Sequence, residues 1–264
     1  MEQMIQKRID RTDDGWIYVD GYGETTKPGL VIVPGVMSDA HSWRKVASEI
    51  TAWPSVWVVN RRGRNPSGPL GPDYSMQTEV DDLSAVLDTI GEQRSLFGWS
   101  YGGSIALLLA GARAVNQLIA YEPVDPTFGN EALPVLRTAD QAGDWDSAVR
   151  IVNEEVSGFT SEYVGKLRDN VRAWATLRDL SKPLYRELRA LSESDLGDGL
   201  GSRAKGIDLI IGGDNEGIEP YGTAFQLIAD QLRASSVTRL AGQGHLAHIE
   251  GPQTLVRLLN ELGR

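Results

Sequence analysis

The 264-residue chain contains no cysteine. That excludes disulfide bridges, a cysteine nucleophile and thiolate-held metal sites. Histidine is almost as scarce: His41, His245 and His248 are the whole set. They lack H-x-x-x-H spacing and the carboxylates are scattered, so no metal or other cofactor is expected. Gly212-Gly213 is too sparse to cradle a phosphate. No apolar run is long enough to span a bilayer, and the opening MEQMIQKRIDRTDD is too polar for a secretory signal, so a cytoplasmic protein is expected. Positive charge is in deficit as well. The net charge of −10 argues against nucleic acid or an anionic membrane as partner. Internal repeats and low-complexity segments are absent. With 41% hydrophobic and 23% charged residues, the chain has the make-up of a soluble globular protein.

What is present alternates. Trp16–Val19 reads as a strand, with Gly21 and Gly23 as turn residues after a polar lead-in. Leu30–Val33 and Ser55–Val59 are continuous apolar runs, as buried central strands require. Between them, Ser42–Ile50 has helical spacing, and Thr78–Ile90 places Val80, Leu83, Val86, Leu87 and Ile90 on one helical face. Strands at Ser95–Phe97, Gln117–Tyr121, Asp208–Ile211 and Ser236–Leu240 follow, with helices at 221–234 and from Pro252. This order predicts an α/β fold with a mostly parallel sheet and helices on both faces. Ligands bind such sheets at the carboxyl ends of the strands, which makes the residues just after each strand the informative ones. From 123 to 200 no strand-like run occurs, and helical spacing recurs at Tyr163, Leu167, Val171, Trp174 and Leu177, then at Leu184, Leu188 and Leu191. A helical cap over 123–200, inserted into a core of 1–122 and 201–264, is expected, the whole forming one compact unit. Of its apolar residues Trp145, Phe159, Trp174 and Tyr185 are candidates to face a substrate.

The chemistry centres on Gly98-Trp99-Ser100-Tyr101-Gly102, set between a strand and an apolar helix. Any one serine acquires these flanking glycines by chance roughly 1% of the time, so context must carry the motif. Strand, G-x-S-x-G and helix together describe a nucleophile elbow, in which the turn is too tight for neighbouring side chains and Ser100 stands at its apex. A serine hydroxyl needs an adjacent base. His245 follows a strand in a glycine-rich loop near the C-terminus and is the candidate. His248 reads as structural, with the competing base role as its alternative, and His41 as a surface residue near the first helix. For the carboxylate that orients the base, Glu122 and Glu216 both follow strands, and Asp125 and Asp214 lie close by. Arg61, Arg62 and Arg64 also follow a strand; they would tie loops to helices or, as the second reading, grip a substrate carboxylate.

Five blocks in order, Val33-Pro34-Gly35, Arg61–Arg64, Gly98–Gly103, Tyr121-Glu122-Pro123 and Gly242–His245, resemble the α/β-hydrolase superfamily over nearly the full chain. Closest is the branch reading Y-E-P after the strand that follows the elbow, similar to zearalenone-type lactonases and small bacterial serine esterases. The resemblance implies an α/β-hydrolase fold with a helical lid after that strand. It implies an oxyanion hole from the Tyr101 amide and an amide of the first loop, Val36 with Met37 as the alternative. In most of the superfamily the acid follows the penultimate strand. There Glu216 aligns on the terminal proline of the loop and Asn215 on its first glycine. In the Y-E-P branch the acid is the residue here numbered Glu122, which leads, with Glu216 as its alternative. Met37 and Trp99 would flank the substrate. The expected activity is cofactor-free hydrolysis of an ester or lactone of a small, largely apolar molecule through an acyl-enzyme. The rivals are C–C bond hydrolysis or perhydrolysis on the same residues, and a non-hydrolytic small-molecule binder. Oligomeric state is left open.

Overall fold

The computed structural model describes residues 4–91, 95–232, 234 and 236–263. The described residues build one eight-stranded sheet from β1 (Ile5–Asp10), β2 (Trp16–Gly23), β3 (Leu30–Val33), β4 (Ser55–Asn60), β5 (Ser95–Trp99), β6 (Leu118–Tyr121), β7 (Ile207–Gly212) and β8 (Ser236–Leu240). Their order across the sheet is β1-β2-β4-β3-β5-β6-β7-β8. β1 and β2 pair antiparallel with each other and β2 with β4, while β4 through β8 form the parallel part.

The apolar runs are buried on both faces because helices cover both. Alternate residues of β3 enter different cores: Val31 and Val33 join one, Leu30 and Ile32 the other. The first core is closed by α2 (Met76–Ile90), α3 (Tyr101–Ala112) and α9 (Tyr221–Gln231), through residues such as Leu83, Ile105 and Phe225. The second is closed by α1 (Arg44–Glu49) and α11 (Pro252–Leu262), through Val46, Leu255 and Leu259. A short helix, α10 (Ala247–Glu250), precedes α11.

Two expectations at the N-terminal end are corrected. The polar lead-in contains β1, an edge strand in which Ile5 to Arg8 are exposed and Ile9 is buried. With one face wet and charges along it, this strand carries almost no hydrophobic signal. Gly21 is not a turn residue but lies inside β2 opposite Trp57, whose indole would stand 2.8 Å from a Cβ at that position.

Between β6 and β7 the regular elements are all helical: α4 (Leu133–Ala142), α5 (Trp145–Ile151), a π-helical turn at Val152–Val156, α6 (Ser161–Asp169), α7 (Val171–Ser181) and α8 (Leu184–Ser192). The stripe from Tyr163 to Leu177 is broken by Asn170. Its side chain accepts from the Ala173 amide at 3.1 Å and starts a new helix, leaving Val171 80% exposed.

Candidate active site

Ser100 joins β5 to α3 with φ 56° and ψ −128°. Bulk is excluded around it. A Cβ on Gly98 would lie 2.5 Å from the Gly102 carbonyl, and one on Gly102 would run into the Val33 carbonyl. The strained backbone is held by the Ser100 amide, which donates to the Tyr121 carbonyl at 2.9 Å, and by the Ser100 carbonyl, which accepts from the Gly103 amide at 2.7 Å. Among the described residues four that are not glycine have positive φ: Asp14, Met37, Ser100 and Glu122. The last three follow β3, β5 and β6 at the same end of the sheet. Each such conformation costs about 1–3 kcal/mol, and conformations of this kind cluster at functional sites, which makes this end of the sheet the candidate.

Glu122 is fully buried at the end of β6. Its Oε2 lies 2.6 Å from Nδ1 of His245, in the loop after β8. Its Oε1 accepts from the Gly212 amide at 2.8 Å and from Asn215 Nδ2 at 3.0 Å, and that same Nδ2 is 3.1 Å from Oε2. A carboxylate so supplied with donors accepts from His245, so Nδ1 carries the proton and Nε2 is left as the basic nitrogen. The ring is packed between two aromatic side chains. It stacks on Tyr221 with centroids 3.6 Å apart and planes within 12°, and leans on Trp99 at 4.7 Å. Its loop is pinned by Trp99 Nε1, donating to the His245 carbonyl at 2.8 Å, and by the Tyr121 hydroxyl, donating to the Gly244 carbonyl at 2.6 Å.

The other acid candidates point elsewhere. Glu216 turns outward to Arg239 Nε at 2.7 Å, its side chain 57% exposed. Asp125 accepts from the Thr127 amide at 2.8 Å within its own loop. Asn215, the residue that alignment on Gly212 puts in the acid position, donates to the carboxylate that faces the histidine. His41 is exposed beside Arg44. His248 is buried, stacked on Trp43 at 4.4 Å, and its Nδ1 has no hydrogen-bond partner. Burial, and then the charge of His245, push it down to about 3, so its ring stays neutral.

Ser100 and His245 open into one cavity of about 360 Å³ between the sheet and the helical insertion. Val36, Met37, Trp99 and Phe159 line it. Trp145, Trp174 and Tyr185 do not, and those three expectations are corrected. Trp174 packs with Val149 and Val164 and donates Nε1 to Asp146 at 2.6 Å, while Trp145 and Tyr185 lie against the first core. Phe128, Val156, Tyr163, Leu177 and Leu180 take their place, with Asn153 and Ser157 as polar members. Among the described residues, no lining side chain is an Asp, Glu, Lys or Arg. Arg62 is bound to Asp82 and Asp13, and Arg61 and Arg64 are buried beneath the 34–38 loop, so none of the three lines the cavity to grip a substrate carboxylate. Among the described residues no three His, Asp or Glu side chains are grouped to hold a metal ion, and no helix is long and apolar enough to cross a membrane.

Residues 30–258 match the family model described as "Alpha/beta hydrolase family". The chain belongs to the alpha/beta hydrolase family. As a member of that family the protein is a hydrolase. A curated relative, pyrrolizixenacetamide deacetylase of Xenorhabdus hominickii, is 24% identical over an alignment 258 positions long that covers 91% of each chain. An alpha/beta hydrolase from Sphaerobacter thermophilus superposes with a TM-score of 0.77 at 22% identity, over 98% of this chain and all of the other. The enol-lactonase of Burkholderia xenovorans superposes with a TM-score of 0.72 at 16% identity, over 94% and 96%. These two likenesses concern the fold.

Within this alpha/beta hydrolase, two roles beside the Glu122–His245 contact were not anticipated: Asn215 donates to the carboxylate and Tyr221 stacks on the ring. Asn215 had a signal, since alignment on Gly212 sets an amide in an acid's usual place. Tyr221 had little, because a tyrosine opening a helix after Pro220 gives no hint that its ring lies flat on an imidazole.

Proposed function

We propose that the protein is a serine hydrolase that cleaves a carboxylic ester or lactone of a small, uncharged, largely apolar molecule through an acyl-enzyme. The observation that carries the reading is the 2.6 Å contact between His245 Nδ1 and a buried, fully supplied Glu122 carboxylate, in the loop that shares a cavity with a strained Ser100. In this mechanism Nε2 of His245 takes the Ser100 proton as Oγ attacks the carbonyl carbon. Glu122 stabilises the imidazolium that forms and keeps the ring in the productive tautomer. The Val36 and Tyr101 amides hold the oxyanion, the latter at the N-terminus of α3, where helical amides lack an acceptor and the helix dipole favours negative charge. His245 then protonates the leaving oxygen, and water, activated by the same nitrogen, releases the acid. A relative that is a deacetylase supports acyl transfer to water as the reaction class.

The cavity supports the substrate class. A wall of Phe, Leu, Val and Tyr side chains without a single charge favours a neutral, apolar body and penalises an ionised one. The test is pre-steady-state kinetics with short p-nitrophenyl esters. A burst of one p-nitrophenolate per protein followed by slower turnover, absent in Ser100→Ala, is expected. Turnover without dependence on Ser100 overturns the reading, as does failure of the folded protein to turn over any ester or lactone of a size the cavity holds.

A further inference from the structure

Three carbonyls of the loop after β3, those of Pro34, Gly35 and Ser38, are held by two buried cations. Arg61 donates Nε to the Pro34 carbonyl at 2.8 Å and Nη2 to the Gly35 carbonyl at 2.9 Å. Arg64 donates Nε to the Ser38 carbonyl at 2.6 Å and reaches the Gly35 carbonyl at 3.4 Å. The Gly35–Val36 peptide is trans, so its C=O and N–H point in opposite directions. Holding the Gly35 oxygen against Arg61 therefore directs the Val36 N–H away from the arginines, towards the cavity that Val36 lines. A half-turn of this one peptide would present a carbonyl where an oxyanion must sit, which is repulsive rather than stabilising.

The same guanidinium packs on the side chain of Tyr101, whose amide is the second proposed donor. Its carbon lies 4.9 Å from the ring centroid of Tyr101, and the Tyr101 hydroxyl is 3.1 Å from that of Tyr74. Arg61 is itself held by two buried carboxylates. Glu79 of α2 approaches Nη1 at 2.6 Å and Glu187 of α8 approaches Nη2 at 2.7 Å. Glu187 also takes Arg64 in a two-point grip at 2.8 and 3.0 Å. Burial raises the carboxyl of Glu187 on its own, but Arg61 and Arg64 outweigh that and hold it below its usual range. Two cations and two carboxylates thus compensate one another beneath the loop, and one of those carboxylates comes from the helical insertion.

On the serine-hydrolase reading, we propose that Arg61 is a positioning residue that fixes the oxyanion hole by anchoring the Gly35 carbonyl, and that Glu187 makes this anchor depend on the docking of α8. The insertion then does more than wall the cavity: it completes the electrostatics beneath the catalytic loop. Neither residue touches substrate, so their loss acts on the transition state and leaves ground-state binding in place.

The experiment compares Glu187→Gln, Arg61→Lys and a control, Leu188→Ala, which removes a buried side chain of the same helix without touching the arginines. Active sites are counted by fluorophosphonate labelling, and kcat and KM for a p-nitrophenyl ester are referred to labelled sites. Removing one oxyanion donor outright costs about 100- to 1000-fold in kcat. A misdirected donor in Glu187→Gln and Arg61→Lys is expected to lower kcat at least tenfold, on the order of that range, with KM within about threefold. Affinity for a boronic acid that mimics the tetrahedral adduct should fall in parallel with kcat. Leu188→Ala is expected to lower Tm but keep kcat per site within about twofold. Should Arg61→Lys fail to fold, Glu187→Gln, which preserves shape, carries the test. The proposal is overturned if Glu187→Gln keeps full kcat and boronate affinity, or if Leu188→Ala lowers both as much. Loss of the whole hydrolase reading is distinguishable, because Ser100→Ala would then leave turnover unchanged.

Discussion

Two regions a few ångströms apart treat charge in opposite ways. Beneath the 34–38 loop, Arg61, Arg64, Glu79 and Glu187 are buried together at hydrogen-bonding distance. Above it, the cavity next to Ser100 has no charged side chain in its wall. Buried charge is costly unless paired, so it persists where it has a geometric task. Here that task is to hold backbone carbonyls in place, and the apolar space is left for the substrate. The two cavity-lining histidines repeat the contrast. His245 is given a carboxylate at 2.6 Å, whereas His248, three residues on, has rings on both sides and an unpartnered Nδ1. Only the first has a carboxylate partner, as the proposed base requires.

The sharpest way to break this comparison is to exchange the carboxylates. Glu122→Gln leaves an amide in contact with Nδ1 and is expected to lower kcat by about 10³–10⁴, the scale for losing the acid of such a triad. Glu216→Gln, out at Arg239, is expected to leave kcat within about twofold. Steady-state kinetics on both variants decides, and the reverse ranking would move the acid to the β7 loop.

The next largest effect concerns the cavity wall. p-Nitrophenyl hexanoate and the p-nitrophenyl monoester of adipic acid have acyl chains of equal length and differ by a terminal carboxylate. With no cation to meet it, the anionic ester should show kcat/KM lower by at least about 100-fold. Leu177→Lys should narrow that gap. Equal rates for the two esters in the wild type would show that the charge-free wall does not select.

Smaller, and a matter of stability rather than turnover, is the effect of His248. Its pKa is about 3 in the folded state against 6.5 as the ordinary value. The unfolded chain therefore binds the extra proton first. Stability from this group is complete above pH 6.5 and is lost as pH falls towards 3, amounting to roughly 2 kcal/mol between pH 7 and pH 5. His248→Phe keeps a ring against Trp43 and removes the titration. Urea unfolding at the two pH values should show the wild type losing about 2 kcal/mol more than the variant. Parallel losses would mean that His248 is not held neutral.

The fold was largely legible because its central strands are buried on both faces and announce themselves as apolar runs, and because only small residues fit around the elbow. β1 was not, since an exposed edge strand has little pattern to read. Of the site, residues placed by strand ends could be anticipated: Ser100, Glu122 and His245 each follow a strand, and the structure brings them to one end of the sheet. Residues placed by packing could not. Helical spacing in the insertion predicts helices but not which side meets the cavity, so Phe159 lines it while Trp145, Trp174 and Tyr185 do not. Nor does a run of arginines reveal that Arg64 meets a glutamate 123 positions away.

The most direct test of the central claim is the site of covalent modification by a fluorophosphonate, read by intact-mass and peptide mapping. Stoichiometric labelling of Ser100, abolished in Ser100→Ala and strongly slowed in Glu122→Gln, is the result expected of a serine nucleophile activated through His245. Folded protein that takes no label, or that takes it equally in Ser100→Ala, would contradict it.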